Sequence, residues 1–250
     1  MADAQFEEPR LAGLYDPLDP DRSDLDVYAA MAVESGAGSV LDVGCGTGTL
    51  ACLLARRGFT VTGIDPAAAS LAVARGKPGA DRVRWLHGTA ASLPPLQVDL
   101  AVMTGNVAQV FVTGEQWAAT LRAVHAALRP GGRLVFESRD PAHQAWLEWT
   151  PERTRRHAEV PGAGPVETWT EVTGAGDGLV SFRTSFVFGA DGAVLTSEST
   201  LRFRGRDELT ATATAAGLIV DEVRDAPDRP GREFVFVTHR PAQGPPQPPG

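Results

Sequence analysis

Cysteine is nearly absent from this 250-residue chain: the two present, Cys45 and Cys52, lie seven positions apart. That is too few for a disulfide framework or a four-ligand zinc site, so no metal centre is expected. No run of about 18 apolar residues occurs, so no membrane-spanning helix is expected. The opening MADAQFEEPR is acidic and has no apolar stretch of the kind a secretory signal carries. A reducing cytoplasm is the expected location. Positive charge is also short: 31 acidic side chains face 23 Lys and Arg, a formal balance of −8. Gripping nucleic acid or an anionic membrane needs a basic footprint, so neither is an expected partner. The composition that remains, 43% hydrophobic and 22% charged, is that of an ordinary globular chain. It excludes collagen-like, coiled-coil and wholly disordered classes.

The first forty residues are acidic and carry Asp16, Pro17, Asp19, Pro20 and Asp21, followed by a helical pattern over 23–34. Apolar runs and helical patterns then alternate. Strands are expected at 39–43, 59–65, 83–87, 98–103 and 133–137, with helices at 49–57, 67–75 and 116–128. This rhythm predicts parallel βαβ units and an α/β sheet covered on both faces. Ligands of such sheets sit beyond the carboxyl ends of the strands. After Glu137 the pattern changes. A Trp-bearing helical stretch (141–149) leads to the basic cluster Arg153, Arg155, Arg156 and His157, read as a solvated helix face. Three alternating segments follow at 166–173, 179–189 and 193–204, separated by the Gly/Asp turns GAGDG and GADG, and predict an antiparallel meander. A helix at 207–216 and strands at 218–223 and 232–239 close the pattern. The tail PAQGPPQPPG, with five prolines in ten residues, is expected to be disordered.

The most informative segment is Val40-Leu41-Asp42-Val43-Gly44-Cys45-Gly46-Thr47-Gly48. A strand running into glycines ahead of a helix lets backbone approach a ligand at the helix N-terminus. A dinucleotide fingerprint G-x-G-x-x-G fails here, because its third glycine position falls on Thr49. The spacing is instead G-x-G-x-G. Asp42, two residues before the first glycine, would repel a pyrophosphate but suits a ligand with a cationic end.

Asp42 followed by GCGTG, with Asp65 at the tip of the next strand, resembles the cofactor site of class I S-adenosylmethionine-dependent methyltransferases. The resemblance is strong over about 37–140. It takes in HGTAASLP after the third strand, DLAVMTGN around the fourth, and LRPGGRLVF leading into the fifth. It implies a Rossmann-like, mostly parallel seven-stranded sheet with an inserted antiparallel β lid, and S-adenosyl-L-methionine as cofactor. The implied cofactor residues are Asp42, Gly44, Cys45, Gly46, Gly48, Asp65, Pro66, Thr89, Ala90, Thr104 and Asn106. Asp65 would accept hydrogen bonds from the ribose hydroxyls, for which a carboxylate is well suited. Thr89 stands where relatives usually have an adenine-binding Asp, and its hydroxyl lacks charge assistance. The implied layout is an N-terminal cover (1–36), a cofactor core (37–140), an inserted lid (141–205), a terminal helix and strand pair (206–240) and a loose tail (241–250).

The function so implied is methyl transfer to an N or O nucleophile of a small-molecule acceptor, which could be anionic. The alternatives are a non-catalytic cofactor-binding protein and a NAD(P)-dependent oxidoreductase. No dedicated catalytic motif stands out. The Asn/Asp-Pro-Pro-aromatic signature of amide and nucleobase N-methylating relatives is replaced by Gly105-Asn106-Val107-Ala108. Acceptor contacts are expected from Tyr15, Arg139, His143 and Trp146, with His143 a candidate base. Each has a plainer reading: an ion pair for Arg139, a surface side chain for His143, lid packing for Trp146 and its helical neighbour Trp149. Oligomeric state is not readable.

Overall fold

A computed structural model describes residues 2–242. Its largest element is a seven-stranded sheet: β1 (Ser39–Val43), β2 (Thr60–Asp65), β3 (Val83–His87), β4 (Val98–Met103), β5 (Leu128–Arg139), β10 (Ile219–Asp225) and β11 (Glu233–His239). The spatial order is β10-β11-β5-β4-β1-β2-β3, and β11 alone runs antiparallel to its neighbours. Strands β1 and β4 sit at the centre of the sheet with helices over both faces, so Val40, Leu41, Leu100 and Ala101 are wholly buried and the runs show no alternation. One face packs against α7 (Gly114–Ala127) and α9 (Arg206–Ala215) through Trp117 and Phe136, the latter stacked on Phe236 at 4.8 Å. The other packs against α4 (Asp24–Glu34) and α5 (Thr49–Arg56) through Leu25, Leu50 and Leu54. Helix α6 (Ala68–Arg75) follows β2.

A separate antiparallel sheet carries β6 (Arg156–Val160), β7 (Gly164–Gly176), β8 (Leu179–Phe188) and β9 (Val194–Arg202), in that order. Strand β6 departs from the sequence expectation, which placed 153–157 on a helix. Only the single turn α8 (Pro151–Thr154) is helical there. Arg155 pairs with Glu167 of β7 and lies over the Trp169 ring, and the next residue joins the sheet. The expected helix at 141–149 is two 3-10 turns, Pro141–His143 and Ala145–Glu148, broken where Gln144 takes φ 49°.

The acidic N-terminal stretch forms three single turns: α1 (Ala4–Glu7), α2 (Pro9–Ala12) and α3 (Tyr15–Leu18). They tie the two sheets together. Leu11 and Leu14 bury among Val160, Val166, Phe186 and Phe188 of the antiparallel sheet. On the other side, Asp16 accepts hydrogen bonds from Thr47 Oγ1 (2.9 Å) and Thr49 Oγ1 (3.1 Å) and pairs with Lys77 at 2.7 Å. The expected disorder of the tail falls on 241–250, of which 243–250 lie outside the described residues. Among the described residues no helix is long and apolar enough to cross a membrane.

Candidate functional site

Strand β1 ends in Gly44, Gly46 and Gly48, all at positive φ (71°, 52° and 75°), and the chain turns directly into α5. The three glycines do different work. A Cβ on Gly44 would stand 2.6 Å from Val107, and one on Gly48 would strike the Trp85 ring and stand 2.8 Å from Ala74. Gly46 has nothing within 4 Å of that position. Two of the glycines therefore let the loop pack, and the third leaves room beside the cavity wall.

That wall encloses about 530 Å³ at the carboxyl ends of β1, β2 and β4, a volume in the range of small-molecule and cofactor sites. The glycine loop, Asp42, Leu50, Thr89, Ala90 and the α7 residues Gln116, Ala119 and Thr120 line it. Asp65, the last residue of β2, lines it too. Its Oδ2 accepts from Gly46 N and its Oδ1 from Ala67 N, each at 2.8 Å. Each oxygen keeps a second lone pair for a ligand hydroxyl. Burial pushes the Asp65 carboxyl above its ordinary range, against the pull of these two amides.

Asp42 is 2% exposed, lines the cavity and receives no hydrogen bond among the described residues. Burial, with the Asp65 charge nearby, pushes its carboxyl up to about 7. A buried carboxylate without a donor is costly, and a ligand ammonium at this wall would remove that cost. The residues fit an S-adenosylmethionine-type group: an acid for the ammonium, a braced acid for two ribose hydroxyls, and space at Gly46. When bound, such a group supplies a methyl on a sulfonium, already activated for displacement.

Placement of the expected residues divides in two. Tyr15, Asp42, Gly44, Cys45, Gly46, Asp65, Pro66, Thr89, Ala90 and Thr104 all line the cavity. Gly48 faces Trp85 instead. Asn106, at φ 61°, turns its amide away from the cavity to donate to Glu233 Oε2 at 3.2 Å. Its backbone N–H donates to Glu137 Oε1 at 2.9 Å, and Glu137 also accepts from Tyr28 Oη. Burial pushes the Glu137 carboxyl up, with Glu233 adding to the shift. This network fixes the segment after β4.

Arg139, His143 and Trp146, expected to contact the acceptor, do not line this cavity. Arg139 donates to Gln109 Oε1 (3.0 Å) and pairs with Glu233 (3.7 Å). His143 is exposed, because the Asp140-Pro141 turn carries it outward. Trp146 packs edge-on against Phe203 at 4.6 Å, and Trp149 against Phe182 at 4.9 Å.

Residues that sequence reasoning missed are Phe6, Arg22 and Leu25 from the N-terminal segment and Thr200 from β9, all in the wall. Behind it, Arg204 is 2% exposed and donates to the carbonyls of Ala108, Phe111 and Thr113, fastening the loop before α7. The only advance signal for the N-terminal residues was the cover role implied by resemblance.

The strand order, with a glycine loop after β1 and an acid ending β2, is that of the class I S-adenosylmethionine-dependent methyltransferases. A family model described as a methyltransferase domain matches residues 40–132. The chain is 33% identical over 121 residues to a ubiquinone/menaquinone biosynthesis C-methyltransferase of Rubrivivax gelatinosus, covering 48% of this chain and 46% of that protein. It spans about half the length of the curated relatives it matches. Among solved structures, an S-adenosylmethionine-dependent methyltransferase from Clostridium acetobutylicum has a TM-score of 0.75 at 18% identity, over 94% of this chain and 99% of that one. A sugar N-methyltransferase from a Streptoalloteichus species has a TM-score of 0.74 at 20% identity, over 91% of each chain.

Proposed function

We propose that the chain is an S-adenosylmethionine-dependent methyltransferase acting on an N or O nucleophile of a small-molecule acceptor. The observation that carries the reading is Asp65, braced by Gly46 N and Ala67 N at the edge of the cavity with lone pairs to spare for a ribose. A small acceptor is supported by the cavity wall, where residues of the N-terminal turns and β9 join the core. Relatives on this core differ in the atom they methylate, being named a quinone-pathway C-methyltransferase and a sugar N-methyltransferase. The cavity contributes alignment and exclusion of water to the rate. An amine that arrives unprotonated needs no more, which favours nitrogen acceptors; a phenol or alcohol would gain from a base.

Calorimetry with S-adenosylhomocysteine and NADPH, followed by assay of S-adenosylhomocysteine formation over an acceptor panel, tests the reading. Binding of the first compound and turnover of an amine-bearing acceptor are expected. Binding of NADPH alone would overturn it.

Two further results are expected. Asp42 has its folded pKa raised, so its stabilising contribution is complete below its ordinary range and is lost as pH rises through about 7. A ligand ammonium favours the ionised form. Binding of S-adenosylhomocysteine at about pH 6 should therefore release protons, and affinity should rise with pH toward neutrality by at most about tenfold per unit. Titrations in buffers of different ionisation enthalpy will show this, and Asp42→Asn should abolish the proton release. Thr89→Asp should tighten the same ligand by about 1 kcal/mol through a charge-assisted hydrogen bond to the adenine amino group. Unchanged affinity would remove Thr89 from the adenine end.

A further inference from the structure

Asp3 stands just ahead of the single turn α1 with φ −67° and ψ 154°, the place where an aspartate ordinarily caps the first amides of a helix. It caps none of them. Gln5 N donates instead to Ser197 Oγ at 2.9 Å, and Phe6 N to the Asp3 carbonyl, also at 2.9 Å. The carboxylate is left to β9 and the cavity. Its Oδ2 accepts from Ser199 Oγ at 2.6 Å, and Asp3 lines the wall together with Phe6 and Thr200. Among the described residues Ser199 is the carboxylate's only protein partner. Oδ1 keeps its lone pairs for a ligand.

The wall holds two other carboxylates, Asp42 and Asp65, and both have work in the cofactor reading. Asp3 is the negative charge left over. The one cation among the described wall residues, Arg22, contacts Asp24 Oδ1 at 3.3 Å. Arg139 is held by Gln109 and Glu233, and neither it nor the cluster at 153–157 belongs to the wall. The wall therefore suits a positively charged acceptor, the reverse of the anionic one that the sequence left open. It also includes Phe6, Tyr15, Val110 and Phe111, with Tyr15 37% and Val110 47% exposed, so apolar surface lies ready for the body that carries the charge.

We propose that Asp3 anchors the acceptor through a protonated nitrogen, and that the acceptor is a basic amine on a partly apolar body. This rests on the cavity being a methyl-transfer site. The anchored nitrogen is not the attacking atom. Pairing with a carboxylate favours its protonated form, and a protonated amine has no lone pair with which to displace a methyl from a sulfonium. The acceptor thus carries a second nucleophile beside the anchored group.

The test uses cyclohexylamine, cyclohexanol and cyclohexanecarboxylate, which at neutral pH present a cation, no charge and an anion on the same ring. Each is titrated by ligand-observed NMR into the full chain loaded with S-adenosylhomocysteine, as wild type and as Asp3→Asn. Asparagine keeps an oxygen for Ser199 and removes the charge. Wild type should bind the amine at least about tenfold more tightly than the other two, the low end for a hydrogen bond to a charged group. Asp3→Asn should lose that preference and still bind S-adenosylhomocysteine. With S-adenosylmethionine loaded instead, cyclohexylamine should yield no S-adenosylhomocysteine. Equal binding of amine and alcohol, or binding of none of the three, would overturn the proposal. So would an amine preference that survives Asp3→Asn, which would assign it to another wall carboxylate, or loss of S-adenosylhomocysteine binding in that variant, which would place Asp3 on the cofactor. Methylation of cyclohexylamine would make the anchored nitrogen the attacker and overturn the second nucleophile. If wild type does not bind S-adenosylhomocysteine at all, the cofactor reading itself fails and the proposal falls with it.

Discussion

Replacing Asp65 with alanine is expected to weaken S-adenosylhomocysteine binding by about 1.5–3 kcal/mol, roughly 10–150-fold in Kd. The loss has two sources. The ligand's hydroxyls lose an ionised acceptor, and Gly46 N and Ala67 N lose the carboxylate that now holds them at 2.8 Å. Against this stands a relief: Asp65 is 7% exposed and its burial opposes ionisation. The free protein should therefore be destabilised less than the complex, and binding should change more than melting temperature does. The substitution has a second readout. Asp65 is one of the two causes that raise the Asp42 carboxyl. Without it the Asp42 pKa should fall, and proton release on binding at about pH 6 should shrink. Wild-type affinity in Asp65→Ala would undo the assignment of the cavity.

The second large effect is on stability. Gly48→Ala should cost about 2–4 kcal/mol, combining a left-handed backbone for a residue with a side chain and overpacking in a filled space. The new methyl would meet the Trp85 ring and stand 2.8 Å from Ala74 Cβ, and the backbone is held at φ 75° by its place between β1 and α5. Gly46→Ala is the companion. Its φ of 52° carries the backbone strain alone, because nothing lies within 4 Å of the added carbon. It should cost only about 1 kcal/mol of stability and lose ligand affinity instead. Urea denaturation paired with calorimetry will separate the two. If both variants lose stability equally, the different work assigned to these glycines is wrong.

What the sequence made legible follows from how each part is stabilised. Strands β1, β3 and β4 begin and end where the apolar runs do, because a buried parallel strand is bounded by the turns that leave the sheet. The glycine loop was legible because its spacing is local. Arg139 was not, since the partner that occupies it, Glu233, comes 94 positions later. His143 and Trp146 lie just beyond a strand's carboxyl end, which favoured a ligand role. A turn beginning at Asp140-Pro141 and a positive φ at Gln144 direct them elsewhere. Arg22 and Phe6 sit in a proline-broken acidic stretch with no periodicity. The packing of Leu11 and Leu14 on a sheet made about 150 residues later, and the bonds of Asp16 to Thr47 and Thr49, give that stretch its shape.

That last feature bears on the order in which the molecule assembles. Asp3 accepts a hydrogen bond from Ser199 Oγ and Gln5 N donates to Ser197 Oγ, contacts that bridge 196 and 192 positions of chain. Contacts this distant in sequence form only after a long loop has closed, at an entropic cost that local elements do not bear. A chain folding as it is synthesised therefore holds Leu11 and Leu14 without a partner until β7 and β8 have emerged. Strands β1 to β5 can take shape before then, while the wall that completes the cavity waits for β9, and α9, β10 and β11 emerge later still. Newly made chains thus pass through an interval in which the glycine loop is formed but the chamber around it is open.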